Sequence, residues 1–288
     1  MGFSSTDDLV SEITSGKYWR ADWNKITGAA AYAAGRWYDF SALGGAPVAN
    51  AFSGTALAWQ SASDSSGFSL YHGGNVSTDT KHALNGSAIT QVGTGIPSQL
   101  MLVDMQGYYP GISLNSATAQ TLTGTPTLRY ANGVGVRAYM VITTTSGATA
   151  HNIAMSYTNQ SATAGRTLPV TVSCTASAIT PHINHSGTAA NNYGPFLPLA
   201  SGDTGIQSVQ TVTISAASGA GVGALVLARP LLSIPLTTAG VASERDFLNQ
   251  LPALPRVIDG ACLTWLYFSG AAVAASTNFY GAIDFGWG

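Results

Sequence analysis

Charge is what this sequence has least of. Asp, Glu, Lys and Arg make up 8% of its 288 residues, against roughly 25% in ordinary soluble proteins. A surface with so few charges has little electrostatic protection against association. The expectation is a protein that spends its life inside an assembly covering much of that surface. The 11 Lys and Arg are scattered, and the net charge is -2. No basic cluster could release many counterions from a phosphate backbone, so direct nucleic-acid binding is not expected.

Long hydrophobic runs are also missing. A membrane helix needs roughly 20 apolar residues. The most apolar stretch, VGALVLARPLLSIPL (222–236), is interrupted by Arg229, Pro230 and Pro235. The opening MGFSSTDDLV has no basic region followed by an apolar run, so no secretory signal is read there. Cysteine is down to two, Cys174 and Cys262. Without an export signal, buried reduced thiols are expected and not a disulfide. The Asn-x-Ser sequons at Asn75, Asn85, Asn159 and Asn184 are what an Asn- and Ser-rich chain makes by chance.

Chemical signatures are the third absence. The glycine-rich SGAGVG (218–223) is followed by a strand-like VGALVLARP and not by a helix, so it is no nucleotide-binding loop. There is no G-x-S-x-G nucleophile elbow. His182 and His185 form H-x-x-H, with Cys174 the one suggestive further ligand. Pro181, Asn184 and Gly187 make that segment a loop, so no metal site is assigned. His72, His82 and His151 are isolated near turns. Paired carboxylates of the glycosidase type find no obvious pair among Asp64, Asp79, Asp104, Asp203, Asp259 and Asp284. Asp64, Asp203 and Asp259 read as turn residues, and only Asp104 and Asp284 lie within strand-like runs. No catalytic, cofactor-binding or metal-binding residue is assigned, and no cofactor is expected. Exposed aromatics that could stack on a sugar are Trp59, Tyr71, Tyr108, Tyr109, Tyr130 and Trp287; in strands such residues are more often core.

What is present is 45% hydrophobic residues and 33 glycines. Short runs rich in β-branched and aromatic residues alternate with Gly, Asn, Ser and Pro clusters. The expected strands are TALAWQ (55–60), GFSLYH (67–72), QLMLVDMQ (99–106), GVRAYMVITTT (135–145), NIAMSYTN (152–159), RTLPVTVSCT (166–175), SVQTVTIS (208–215), GALVLARPL (223–231), CLTWLYF (262–268) and FYGAIDF (279–285). Asn-Gly at 85–86 and 132–133 reads as turns. This is the pattern of an all-β protein, and a jelly-roll-like β-sandwich body is the preferred architecture. ASERDFLNQL (242–251) reads as a helix capped by Ser243, followed by an extended LPALPRVIDG (251–260).

The first 45 residues differ from the rest. Nine charged residues fall in the first 40, and another nine are spread over 41–243. Thr6 is placed as the N-cap of a helix over 6–15. The division is therefore a short, partly helical N-terminal arm (1–45) and a β-sandwich body (46–288). The arm either docks on a neighbour or packs on its own body.

In LMLVDMQGYYPGI (100–112), Asp104 stands alone in an apolar run. A strand-embedded carboxylate must be solvated, paired or neutralised. Arg129 and Arg137 are its candidate partners, with Pro110 ending the strand and Gly111 turning the chain. Together with TLRYANGVGVRAYMVIT (127–143), the SYTNQ…GRT passage (156–167), PLASGDTGIQSVQTVTIS (198–215) and LPRVIDGACLTWL (254–266), this phrase resembles virion structural proteins of tailed bacteriophages. The resemblance implies a non-enzymatic protein of the particle, assembled in the bacterial host cytoplasm and located in the virion. It carries no functional residue across. Its partners are then other copies of itself and other capsid proteins, with no membrane. A capsid decoration or cement protein, guessed to be trimeric, is the first expectation. The alternatives are the major shell protein, a receptor- or glycan-binding head at a tail or vertex, and an enzyme such as a depolymerase.

Overall fold

The apolar run around Asp104 becomes the axis of the molecule. The computed structural model describes residues 2–91, 96–187, 189–251 and 253–288. Its first half contains α1 (Thr6–Thr14), β1 (Tyr18–Ile26), β2 (Arg36–Asp39), β3 (Gly44–Ala46), β4 (Gln60–Ser61), β5 (Lys81–Thr90), β6 (Ser98–Ser113), β7 (Gln120–Thr121) and β8 (Arg137–Thr144). The second half adds β9 (His151–Asn159), β10 (Arg166–Thr167), β11 (Val172–Cys174), β12 (Ile206–Ile214) and β13 (Val222–Leu236). Then come β14 (Ser243–Asp246), α2 (Phe247–Gln250), β15 (Arg256–Val257), β16 (Leu263–Ser269) and β17 (Asn278–Trp287). Among the described residues, no helix is long and apolar enough to cross a membrane.

The strands form three antiparallel sheets, so the expected all-β, sandwich-like body is present. The central sheet runs β2-β16-β6-β13-β8, with β4 beside β6. One outer sheet runs β14-β5-β17-β1-β3, with β15 also on β5, and the other runs β10-β9-β12-β7, with β11 on β9. Strands β6 and β13 are long enough to serve both outer sheets. Leu100, Leu102, Leu232 and Ile234 pack with Trp23, Ala83, Ile283 and Phe285 of the first. Tyr109, Ile112, Leu225 and Leu227 pack with Ile153, Met155, Val212 and Ile214 of the second.

Both cores lie on one face of the central sheet. Side chains alternate along a strand, so Leu100, Leu102 and Asp104 point the same way. Arg229 is the cross-strand partner of Asp104, which puts Leu225, Leu227 and Arg229 on that face as well. The opposite face, with Val103, Met105, Val226 and Ala228, is roofed by Phe52, Ala62 and Ile183 from loops. Burial on both sides explains why this stretch reads as a continuous apolar run. Asp104 and Arg229 mark the seam between the two cores.

Several local expectations are corrected. Strand β6 does not end at Pro110. Tyr109 pairs Leu225 and Ile112 pairs Gly223, so one extra residue is accommodated at Pro110–Gly111. The missing N–H of proline falls in this bulge, where no ladder bond is lost. Asn85-Gly86 is not a turn but the middle of β5. A Cβ on Gly86 would lie 2.8 Å from Ile234 Cδ1 and 3.0 Å from Ile283 Cδ1; the glycine is there for close packing between sheets. The helix expected over 242–251 starts late, because Ser243–Asp246 add to the edge of β5. Its cap is Asp246, whose side chain accepts from Leu248 and Asn249. The extended segment after it includes Arg256–Val257 as β15; Pro252 lies outside the described residues. TALAWQ contributes only Gln60 to a strand, and GFSLYH only a bridge from Leu70 to Leu263. RTLPVTVSCT splits into β10 and β11 around Pro169.

Within the 1–45 segment, Ser5 and not Thr6 caps α1, accepting from Asp8 N at 3.1 Å. Strand β1 pairs β17 over Tyr18–Ile26 and β3 at Asn24–Ile26. Its inward residues are Ala21, Trp23 and Lys25. The charge-dense part of the segment is thus an interior strand of the first outer sheet.

Candidate functional site

Asp104 is fully buried and both of its carboxylate oxygens are engaged. Arg129 Nε donates to Oδ2 at 3.2 Å, Arg129 Nη2 donates to Oδ1, and Cys262 N–H donates to Oδ1 at 2.9 Å. Arg129 also donates to the carbonyls of Ala62 and Met105. Its backbone N–H is held by Gln106 Oε1 at 2.9 Å. A carboxylate closed in this way cannot reach a substrate proton. Arg137, the other candidate partner, instead donates to Leu197 O at 3.3 Å and lies over Phe196. Arg229 faces Asp104 across the strand pair but stacks on Tyr130, 4.2 Å from the ring centre.

The other carboxylates are also mostly occupied. Asp203 is not a self-capping turn residue. It accepts from Arg166 Nε at 2.9 Å, Tyr157 Oη at 2.7 Å and Asn159 Nδ2 at 2.7 Å. The Arg166 hydrogen bond, with those of Tyr157 and Asn159, holds its carboxyl down at about 2. Asp259 accepts from the backbone N–H groups of Val76 and Ser77 at 3.0 and 3.2 Å. Asp284 accepts from Tyr18 Oη at 2.5 Å, and Asp79 pairs with Lys17 at 2.9 Å. Asp64 has no side-chain hydrogen bond among the described residues. Asp39, which the sequence reading passed over, is completely buried and accepts from Tyr139 Oη and Ser41 N–H, both at 2.8 Å. Burial pushes its carboxyl up.

His182 and His185 do not converge on one point. His185 Nε2 accepts from Met140 N–H at 3.2 Å, so Nδ1 carries the proton donated to Tyr193 O. His182 Nε2 is 3.0 Å from Ser186 O. Burial lowers His185 to about 4 and His182 to about 3. They are neutral struts that fasten the 182–186 segment to the central sheet. Among the described residues, no group of three or more His, Cys, Asp or Glu could hold a metal ion. Cys174 and Cys262 are free and buried, and burial raises both thiols to about 12.

Two buried lysines went unnoticed in the sequence. Lys25 donates to Leu43 O at 3.1 Å and Pro47 O at 2.6 Å. Lys81 lies 3.0 Å from His72 Nδ1, donates to Gly74 O and sits over the Trp287 ring. Burial depresses both amines to about 8. The signal was there: each sits at the inward parity of its strand, beside Trp23 and Ala83 respectively.

Of the aromatic candidates, Tyr108, Tyr109 and Tyr130 are core, and Trp59 and Trp287 are half-buried. Tyr71 is exposed and meets Trp19 edge-on, with ring centres 5.1 Å apart. A broad groove of about 610 Å³ runs along the outer face of β9 and β12 under the 167–171 loop. It is lined by Asn152, Ala154, Ser156, Thr211 and Thr213, with Val170 at the rim. A smaller cavity of about 300 Å³ lies at the seam, between Tyr130, Arg229 and Arg256.

The chain aligns only weakly with solved structures of a viral capsid protein. The VP2 subviral particle of infectious bursal disease virus aligns over 93% of this chain and 80% of its own, at 10% identity and a TM-score of 0.22. A Gt-strain structure of the same virus aligns over 94% and 79%, at 10% identity and a TM-score of 0.20. Scores of this size fall below those of chains that share a fold. No family model and no curated protein matches the sequence.

Proposed function

We propose that this chain is a non-enzymatic structural protein of a virus particle, and specifically a decoration or cement protein of a tailed-phage capsid. On this reading it is made in the bacterial cytoplasm, ends in the virion, and binds copies of itself and neighbouring shell proteins. The observation that carries the reading is the outer face of the β9/β12 sheet. Arg166 is the single Lys, Arg, Asp or Glu among the strand residues of that sheet. The broad groove on that face is lined by Asn, Ser, Thr and Ala of the strands and by Leu168, Pro169 and Val170 of the loop above them. Such a surface gains affinity from area and shape and not from ion pairs. Being uncharged, it is compatible with a copy of itself, and closed symmetry then follows. The phrase-level resemblance to tailed-phage virion proteins supplies the particle.

The test is the oligomeric state by sedimentation, followed by location in intact particles. Thr211→Glu with Thr213→Glu sets like charges on the face without touching the core. The double variant should fold normally and lose self-association and particle binding. A monomeric wild type at high micromolar concentration, or an unaffected variant, refutes the reading.

A glycan-binding head is the second reading, favoured by one observation. Trp19 and Tyr71 are exposed side by side, and the Trp19 indole N–H donates to Tyr71 O at 3.1 Å, which fixes the pair. Rigid exposed aromatics are what sugar stacking requires. A glycan array in which Trp19→Ala abolishes a wild-type signal supports it; no wild-type signal removes it.

A further inference from the structure

We propose that the seam cavity between Tyr130, Arg229 and Arg256 is a binding site for a small oxyanion of the phosphate class. Two guanidinium groups from different strands, β13 and β15, line it, and its remaining walls are Pro230, Leu231, Pro255 and Ile258. No carboxylate is among the lining residues. Beyond the ladder pairing of their backbones, the Arg229 and Arg256 side chains make no hydrogen bond or ion pair among the described residues. The obvious counter-charge for Arg229 is Asp104, directly opposite on β6, but both its oxygens are taken by Arg129 and Cys262 N–H. One buried carboxylate therefore stands against two arginines, and the surplus positive charge faces the cavity.

The donors are held in place. Arg229 Cζ lies over the Tyr130 ring, 4.2 Å from its centre. Gly135 borders the same guanidinium: a Cβ there would come within 3.2 Å of Arg229 Nε. Tyr130 is 9% exposed, and burial together with the neighbouring Asp104 carboxylate pushes its hydroxyl well up. The apolar walls lower the local dielectric and strengthen any charge pairing there. Guanidinium forks match the geometry of phosphate oxygens.

Further basic residues lie beside this cavity. Arg256 also borders an adjoining cavity of about 290 Å³ together with Lys81 and Arg129. Asp79 and Asp259 line it too; Asp79 pairs with Lys17, and Asp259 accepts from the amides of Val76 and Ser77 at the same cavity. Four of the 11 basic residues of the chain thus gather at the seam.

The experiment titrates the full chain with inorganic phosphate against sodium chloride at matched ionic strength, reading heat of binding and melting temperature. The variants are Arg256→Gln, which removes an exposed side chain with no structural partner, and Arg20→Gln as a control on another strand. Phosphate should give saturable binding and a melting temperature that rises with its concentration. Arg256→Gln should melt like wild type in chloride and bind phosphate about tenfold to hundredfold more weakly, as expected for loss of a charge-assisted hydrogen bond. Arg20→Gln should leave phosphate binding unchanged. No saturable response beyond chloride, or an equal loss in Arg20→Gln, overturns the proposal.

Discussion

Replacing Asp104 by Asn tests the seam most directly. The change keeps the size of the side chain and one carbonyl oxygen for Cys262 N–H, and removes only the charge. Asp104 has no exposed surface and the Arg129 side chain is 16% exposed. Removing one partner of a buried pair leaves the other charge uncompensated, at a cost of about 3–5 kcal/mol. Against a typical total of about 5–15 kcal/mol, that is a large fraction of the stability of the domain. Arg129→Met should cost at least as much, because it also abandons the carbonyls of Ala62 and Met105. The double variant should be less damaged than the sum of the singles by about 1–3 kcal/mol, since the two changes remove one shared interaction. Urea unfolding followed by circular dichroism measures all three. An Asp104→Asn protein within about 1 kcal/mol of wild type, below the range for breaking a buried pair, would show that the ion pair does not hold the seam.

Three further outcomes follow from particular residues. His182 and His185 are held neutral well below the ordinary histidine value of 6.5; their stabilisation is therefore complete above about pH 6.5 and declines as pH falls towards 4, by about 1.4 kcal/mol per pH unit for each. Urea stability measured from pH 7 to 4.5 should show this slope, and His185→Gln should shrink it; an unchanged slope in that variant refutes the assignment. Gly86→Ala should destabilise by about 1–3 kcal/mol through overpacking against Ile234 and Ile283, whereas an exposed turn would tolerate it; a thermal melt decides. Deleting residues 2–16 removes α1 and the buried Leu9, at about 1.5–3 kcal/mol, and should leave a folded protein. Deleting residues 2–40 takes out β1 from between β17 and β3 and should abolish soluble, cooperatively unfolding protein. A stable product of the longer deletion would show that β1 is dispensable.

The seam was half visible in the sequence. A lone acid in an apolar run demanded a partner, and Arg129 and Arg137 were the nearest arginines in chain order. Which of them turns inward depends on the loop before β8, and that loop is placed by Gln106 gripping Arg129 N–H. Among the strands not expected, the two longest are β1, whose outward face is charged, and β5, whose middle carries Asn-Gly. Composition and turn chemistry misled there, while the inward parity of Ala21, Trp23 and Lys25 was the correct signal. Asp39 and Tyr139 lie 100 residues apart, and nothing local announces that they meet.

By itself the sequence determined the class of structure. Short β-branched runs, abundant turn residues and scarce charge are local properties, and they suffice for an all-β body with a low-charge surface. Only the tertiary structure decided that β6 and β13 are shared between two outer sheets. Sharing depends on strand register, and register here is reset by single-residue bulges at Gln106, Pro110–Gly111 and Leu231. Each bulge changes which side chains face the same way, and no run of ten residues reveals it. The same register sets Arg229 opposite an Asp104 that is already occupied. The unpaired arginines at the seam are therefore a product of the fold and not of any motif.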